Sequence, residues 1–193
     1  MSNEPPALNE AGGRLRSILL YGALAILVAL VVYTQFGGSH PLVGQAAPAF
    51  QLASLDGGSV DLREHLGQDV VVLDFWAVWC GPCREALPDV GALAREMHGD
   101  GVAVYAVNQA DPPPRIRDLL DQLDIDGLPI LLDEQGEAST AYGVQGIPFI
   151  AVIDKQGQVA RVFQGYGPGL KQSLRAAIEK LRDAPVPTQT AVR

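Results

Sequence analysis

Apolar residues are laid along this chain in two ways. From Ser17 to Phe36, twenty residues pass without a charge and without a polar face. A helix of that length spans about 30 Å, the hydrocarbon thickness of a bilayer. Beyond residue 41 the apolar positions break into short periodic pieces. Val70–Trp76 is a continuous β-rich run, as in a strand buried on both faces. From Pro82 to Met97 the positions Leu87, Val90, Leu93, Ala94 and Met97 repeat at three and four, which predicts an amphipathic helix. Pro82 suits its first turn, and Pro88 predicts a kink. Val102–Val107 is a second buried strand, so the unit is a βαβ crossover with parallel strands. Helical pieces follow at 115–123 and 138–142, with an extended piece at 129–132 between them. Strands at 149–153 and 159–163 are joined by Asp154–Gly157, a hairpin signal, and a last amphipathic helix covers 170–182. The expected domain is α/β, with a mixed central sheet and helices on both faces.

The apolar run is too long for the 7–15-residue core of a cleaved leader, and Thr34-Gln-Phe-Gly37 is no small-residue cleavage site. Tyr21 and Tyr33 sit near its ends, where interfacial aromatics are favoured. Arg14 and Arg16 precede it, and no Lys or Arg follows before Arg63. By the positive-inside rule the N-terminus stays cytoplasmic and the rest lies outside. The expected organisation is a cytoplasmic tail at 1–16, a transmembrane anchor at 17–36, a linker at 37–41, a folded domain at 42–182 and a loose tail at 183–193.

Composition narrows the function. Hydrophobic residues at 48% and charged residues at 19% exclude a disordered chain. A net charge of −8 argues against nucleic acid as a partner, since little would neutralise phosphates. Two cysteines exclude a disulfide-stapled scaffold and a four-cysteine zinc site. No metal or other cofactor is expected, and His40, His65 and His98 are taken as surface groups.

Both cysteines fall in Trp79-Cys-Gly-Pro-Cys83, between strand and helix. At the helix start, the macrodipole and unsatisfied N–H groups stabilise a thiolate at Cys80. Only a thiolate attacks a disulfide, so Cys80 is the candidate nucleophile. Cys83, one turn on, can then resolve the mixed disulfide. A structural staple gains little from so short a loop. A lone C-x-x-C lacks the second pair of ligands of a zinc site. Two inert core cysteines would leave their placement at the helix start unexplained.

The segment Asp74-Phe-Trp-Ala-Val-Trp-Cys-Gly-Pro-Cys83 resembles the active-site segment of thioredoxins. Over residues 42–182 the chain resembles more closely the membrane-tethered TlpA/ResA/DsbE-like branch. The likeness is carried by Gly44-x-x-Ala-Pro-x-Phe-x-Leu52, Asp56-Gly57, Asp111–Asp133, Tyr142-Gly-Val-Gln-Gly-Ile-Pro148 and Ile153-Asp-x-x-Gly157. The resemblance implies a thioredoxin fold with a βα insertion. It also implies a cis peptide bond before Pro148 beside the cysteine pair, with the Ile147 backbone pairing to an extended substrate segment. Asp74 matches the thioredoxin aspartate. Buried in an apolar strand, its pKa would rise and it would exchange a proton with Cys83; the alternative is a strand-end carboxylate facing water. Trp79 is expected at the substrate surface, or simply packed. Two positions depart from the branch: its acidic residue maps to Ala86 rather than Glu85, and Phe149 stands where many relatives have Thr, beside what docks at Pro148.

The Gly-Pro between the cysteines matches thioredoxin, near about −270 mV, rather than DsbA, near about −120 mV. At about 1.4 kcal/mol per 30 mV that difference is roughly 7 kcal/mol, enough to set direction. The resemblance implies an extracytoplasmic protein-disulfide reductase on a bacterial inner membrane, its domain in the periplasm. Its partners would be exported proteins with cysteines, as in cytochrome c maturation or copper-site assembly, and a transmembrane thiol-transfer electron donor. A copper carrier of the same fold is an alternative, as is a peroxiredoxin-like peroxidase. The latter would need Pro at Leu73 and Thr at Ala77.

Overall fold

A computed structural model of the chain describes residues 19–28, 40–97 and 99–184. They fall in two units divided after Ser39. In the first, residues 19–28 are helical and exposed. Among the described residues no helix is long and apolar enough to cross a membrane. Half of the expected anchor lies outside the described residues, as do residues 1–16, most of the linker, His98 and the tail from 185.

The second unit is built on a seven-stranded sheet in the order β2-β1-β5-β4-β3-β6-β7. The strands are β1 (Gln51–Ser54), β2 (Ser59–Asp61), β3 (Val70–Trp76), β4 (Val102–Asn108), β5 (Ile130–Leu132), β6 (Phe149–Ile153) and β7 (Val159–Gln164). The helices are α1 (Gly81–Met97), α2 (Pro113–Gln122), α3 (Glu137–Ala141) and α4 (Leu170–Arg182), with a 3₁₀ turn at Leu62–His65. β3, β4 and β5 run parallel, as the crossover connections require, and β6 and β7 return antiparallel through the Asp154 hairpin. The mixed sheet is therefore as expected. The β1–β2 hairpin at its far edge was not legible in the hydrophobic pattern: β1 and β2 are short and no residue in them is fully buried.

The seven residues of β3 are all buried, and alternation divides them between two cores. Val70, Val72 and Trp76 join Leu87, Val90 and Leu93 of α1, Ile116 of α2 and Leu174 of α4. Val71, Leu73 and Phe75 join Tyr142, Phe149 and Leu62 on the other side. Fully burying each such side chain contributes about 1.5–3 kcal/mol, so this interleaving stabilises both faces of the sheet at once. The three long helices all feed the first core. The expectation of helices on both faces holds only in a reduced form. The second face is covered by five-residue α3, the 3₁₀ turn and the segment from Leu42 to Leu52.

The apolar stripe of α1 buries Cys83, Leu87, Val90, Ala94 and Met97. The helix runs unbroken past Pro88, which is exposed. Proline removes one intrahelical N–H, and on the outer side water can satisfy the carbonyl it leaves. Gly91 lets the chain after α2 close on α1: a Cβ there would stand 3.3 Å from the Ile125 Cγ2.

Candidate active site

Cys80 is the residue immediately before α1, four residues beyond the C-terminal end of β3. A tight turn brings the chain from strand to helix, the Cys80 amide donating to the Ala77 carbonyl at 3.1 Å. Cys80 and Cys83 are joined as a disulfide with Cα atoms 5.2 Å apart. The Cys83 backbone N–H donates to the Cys80 sulfur at 3.2 Å, the bond an N-cap side chain receives from the third residue of a helix. No acidic residue occupies the first turn of α1, so nothing there offsets the dipole's positive end. In the reduced protein the same N–H and dipole favour Cys80 as a thiolate.

Two sulfur environments result from one helical turn. Cys83 is fully buried, whereas Cys80 retains a small exposed edge beside the exposed Gly81 and Pro82. Trp79 stands beside it, 71% exposed, so it is a surface aromatic and not a packed one. The Ile147 carbonyl lies 3.7 Å from the Cys80 sulfur. A disulfide sulfur carries no proton, so this is proximity; a Cys80 thiol could donate there. The Ile147–Pro148 peptide bond is cis. Pro148 is buried and Ile147 half-exposed, bringing this second segment against the first cysteine.

Asp74 is completely buried, and neither carboxylate oxygen has a hydrogen-bond partner among the described residues. In register it lies between Ala106 of β4 and Ile150 of β6, neither of which offers a donor side chain. Burial alone raises its pKa to about 7. Strand alternation puts Asp74 with Val72 and Trp76, on the face packed against α1 and the cysteines. It does not face water.

Phe149 belongs to the opposite core, its ring 5.8 Å from that of Phe75 and 5.1 Å from that of His40. Its ring is fully buried, so any effect of Phe149 on what docks beside Pro148 is indirect. Ala86 is fully buried and Glu85 exposed, so no carboxylate from this part of α1 points inward. His65 is not a plain surface group. It is half-buried on the far face, with Nδ1 2.8 Å from Asp69 and Nε2 2.8 Å from the Tyr105 hydroxyl.

Sequence reasoning missed a polar group behind the cysteine turn. Asp111 Oδ2 accepts from the Val78 N–H at 2.6 Å and from Asn108 Nδ2 at 3.1 Å, while Asn108 Oδ1 accepts from the Asp111 N–H at 2.9 Å. The available signal was an Asp directly before a proline run.

The chain's residues 42–178 match the profile of the family described as Redoxin. The chain belongs to the Redoxin family. Among Redoxin relatives, the thiol-disulfide oxidoreductase ResA of Geobacillus thermodenitrificans is 29% identical over 170 residues, covering 87% of this chain and 95% of that one. A Chlorobium tepidum structure assigned as the thiol:disulfide interchange protein DsbE superposes with a TM-score of 0.64. It is 33% identical and covers 71% of this chain and 95% of that one. The pneumococcal exposed lipoprotein thioredoxin Etrx1, from Streptococcus pneumoniae, gives a TM-score of 0.61 at 29% identity, covering 69% of this chain and 100% of that one. This Redoxin is a thioredoxin-like protein-disulfide oxidoreductase of the ResA/DsbE type, and its redox pair is Cys80 and Cys83.

Proposed function

We propose that the protein is a membrane-anchored, extracytoplasmic disulfide reductase whose substrates are exported proteins. The observation that carries the exchange chemistry is the helix-start sulfur of Cys80, with the Cys83 N–H upon it and the Ile147 carbonyl beside it. The uncharged run from Ser17 to Phe36 behind Arg14 and Arg16 supports the anchor and its orientation. One structural relative is itself described as an exposed lipoprotein. The Gly81-Pro82 pair between the cysteines supports the reducing direction.

In the reducing direction, the Cys80 thiolate attacks one sulfur of a substrate disulfide. A mixed disulfide forms and one substrate thiolate leaves. Cys83 then loses its proton to Asp74, which at a pKa of about 7 is poised to take it. The Cys83 sulfur attacks that of Cys80, closing the disulfide seen here and releasing the second substrate thiolate. Two electrons pass from the dithiol to the substrate, and an external dithiol must restore them. The substrate backbone pairs along Ile147, and Trp79 covers the approach. Haem-attachment cysteines of apocytochrome c or cysteines of copper-site assembly proteins are substrates of the right kind, because both must be thiols before they bind.

Equilibration of the purified protein with dithiothreitol or glutathione buffers tests the direction. A potential near that of thioredoxin is expected, and one above about −150 mV would overturn the reductase assignment.

A further inference from the structure

The Asp111-Pro-Pro-Pro114 segment stands out in the sequence, and the redox cycle above makes no use of it. β3 and β4 are parallel neighbours that end together, with Trp76 opposite Asn108. Two loops therefore leave the sheet side by side. The first, Ala77 to Cys80, delivers the attacking sulfur; the second, Gln109 to Pro112, leads into α2. They are stitched from the root outward. The Gln109 N–H donates to the Trp76 carbonyl at 3.0 Å. One residue further, Ala110 sits at φ +59°, in the left-handed region that costs a non-glycine residue energy. That bend turns the chain back so that Asp111 faces the end of its own strand.

Asn108 is fully buried. It spends both ends of its amide on Asp111, accepting at Oδ1 and donating from Nδ2. Pro112 restricts the Asp111 backbone to extended conformations, so the carboxylate is held from both sides. Its Oδ2 takes the Val78 N–H at 2.6 Å, a charge-assisted bond. Val78 and Trp79 are the two central residues of the turn closed by Cys80 N–H on the Ala77 carbonyl.

We infer that Asp111 is a positioning residue for Cys80: its carboxylate fixes the Ala77–Cys80 turn, and so sets the attacking sulfur at the head of α1. This rests on the thiol-exchange function of the pair and adds to it a residue that touches neither sulfur. Without the carboxylate, the turn can rotate its Val78 peptide toward water, and the Cys80 sulfur leaves the Cys83 N–H that favours its thiolate.

The experiment compares Asp111→Asn with Asp111→Ala in the full-length protein in detergent. The Asn amide oxygen can accept from Val78 and Asn108, and its nitrogen takes the position of Oδ1, which has no partner among the described residues. Two readouts are taken: insulin-disulfide reduction with dithiothreitol as reductant, and the pH midpoint of Cys80 alkylation by iodoacetamide. Asp111→Ala should slow reduction about tenfold and raise the midpoint, as expected for a misplaced reacting group. Asp111→Asn should bring the rate to within about twofold of the parent and return the midpoint to that of the parent. Equal impairment of the two variants would mean that charge alone acts, and overturns the inference; so would an Asp111→Ala protein indistinguishable from the parent. Hydrogen exchange at the Val78 amide of the unaltered protein needs no variant. Protection is expected, and exchange as fast as an open loop amide overturns the clamp. Failure of the unaltered protein to reduce insulin would count instead against the exchange function, leaving the Val78 protection to be judged separately.

Discussion

Asp74 provides a test in which energetics and chemistry must agree. Its carboxyl is wholly buried without a partner among the described residues, and its pKa stands at about 7 against an ordinary 3.8. The native state thus binds the proton more tightly than the unfolded chain does. Below about pH 4 both states are protonated and nothing is lost. As pH rises from there to about 7, the unfolded chain ionises first, so stability falls; above about 7 the loss is complete. At 1.36 kcal/mol per pKa unit, a shift of roughly three units amounts to about 4 kcal/mol. Asp74→Asn removes this proton linkage at almost constant volume, at the fixed expense of a buried amide. The stability difference, variant minus parent, should therefore climb by about 4 kcal/mol between pH 4 and pH 8, in favour of the variant. The assay is urea unfolding of the oxidised protein across that range, the disulfide kept closed so that no thiol titrates. Each pH point is compared between the two proteins, which cancels the other carboxylates. A flat difference, or one falling with pH, would refute the burial argument. The same variant should retain the first exchange step and slow the second, because Cys83 loses its proton acceptor.

Cys83→Ala should accumulate mixed disulfides through Cys80 that non-reducing gels and mass spectrometry detect, whereas Cys80→Ala should trap none through that position. Trp79→Ala should change unfolding free energy by no more than about 0.5 kcal/mol, as for an exposed residue, yet lower kcat/KM for a protein disulfide by about fivefold or more. Asp133→Ala should cost about 2–4 kcal/mol in urea unfolding with the redox potential unchanged. Its buried carboxylate accepts from the Ala138 and Ser139 amides and the Ser139 hydroxyl and touches neither sulfur. A reporter active only outside the cytoplasm, fused after Arg193, should be active if residues 17–36 cross the membrane in the proposed orientation.

What the sequence disclosed, and what it concealed, follows from how far each feature depends on local pattern. β3, α1, β4 and α4 carry enough apolar repeats to declare their periods, and they lie within about two residues of where the pattern puts them. The β1–β2 hairpin takes its place from pairing with β5, Ala53 opposite Leu132, nearly eighty positions apart in the chain. No local window contains that information. α2 was legible as a helix, but its choice of the face already covered by α1 was not, because amphipathicity reveals a buried side without naming what buries it. The site divides in the same way. Cys80, Cys83 and Asp74 were visible because each conflicts with its surroundings: two thiols at a helix start, a carboxylate inside a greasy strand. Asn108 and Asp111 agree with theirs. A polar strand end followed by Asp-Pro looks like any solvated turn until the Trp76–Asn108 register lays it against the cysteine loop. A buried acid without a partner and an acid that satisfies a loop amide are chemically the same residue. Only the three-dimensional arrangement gives the first a proton to move and the second a sulfur to hold in place.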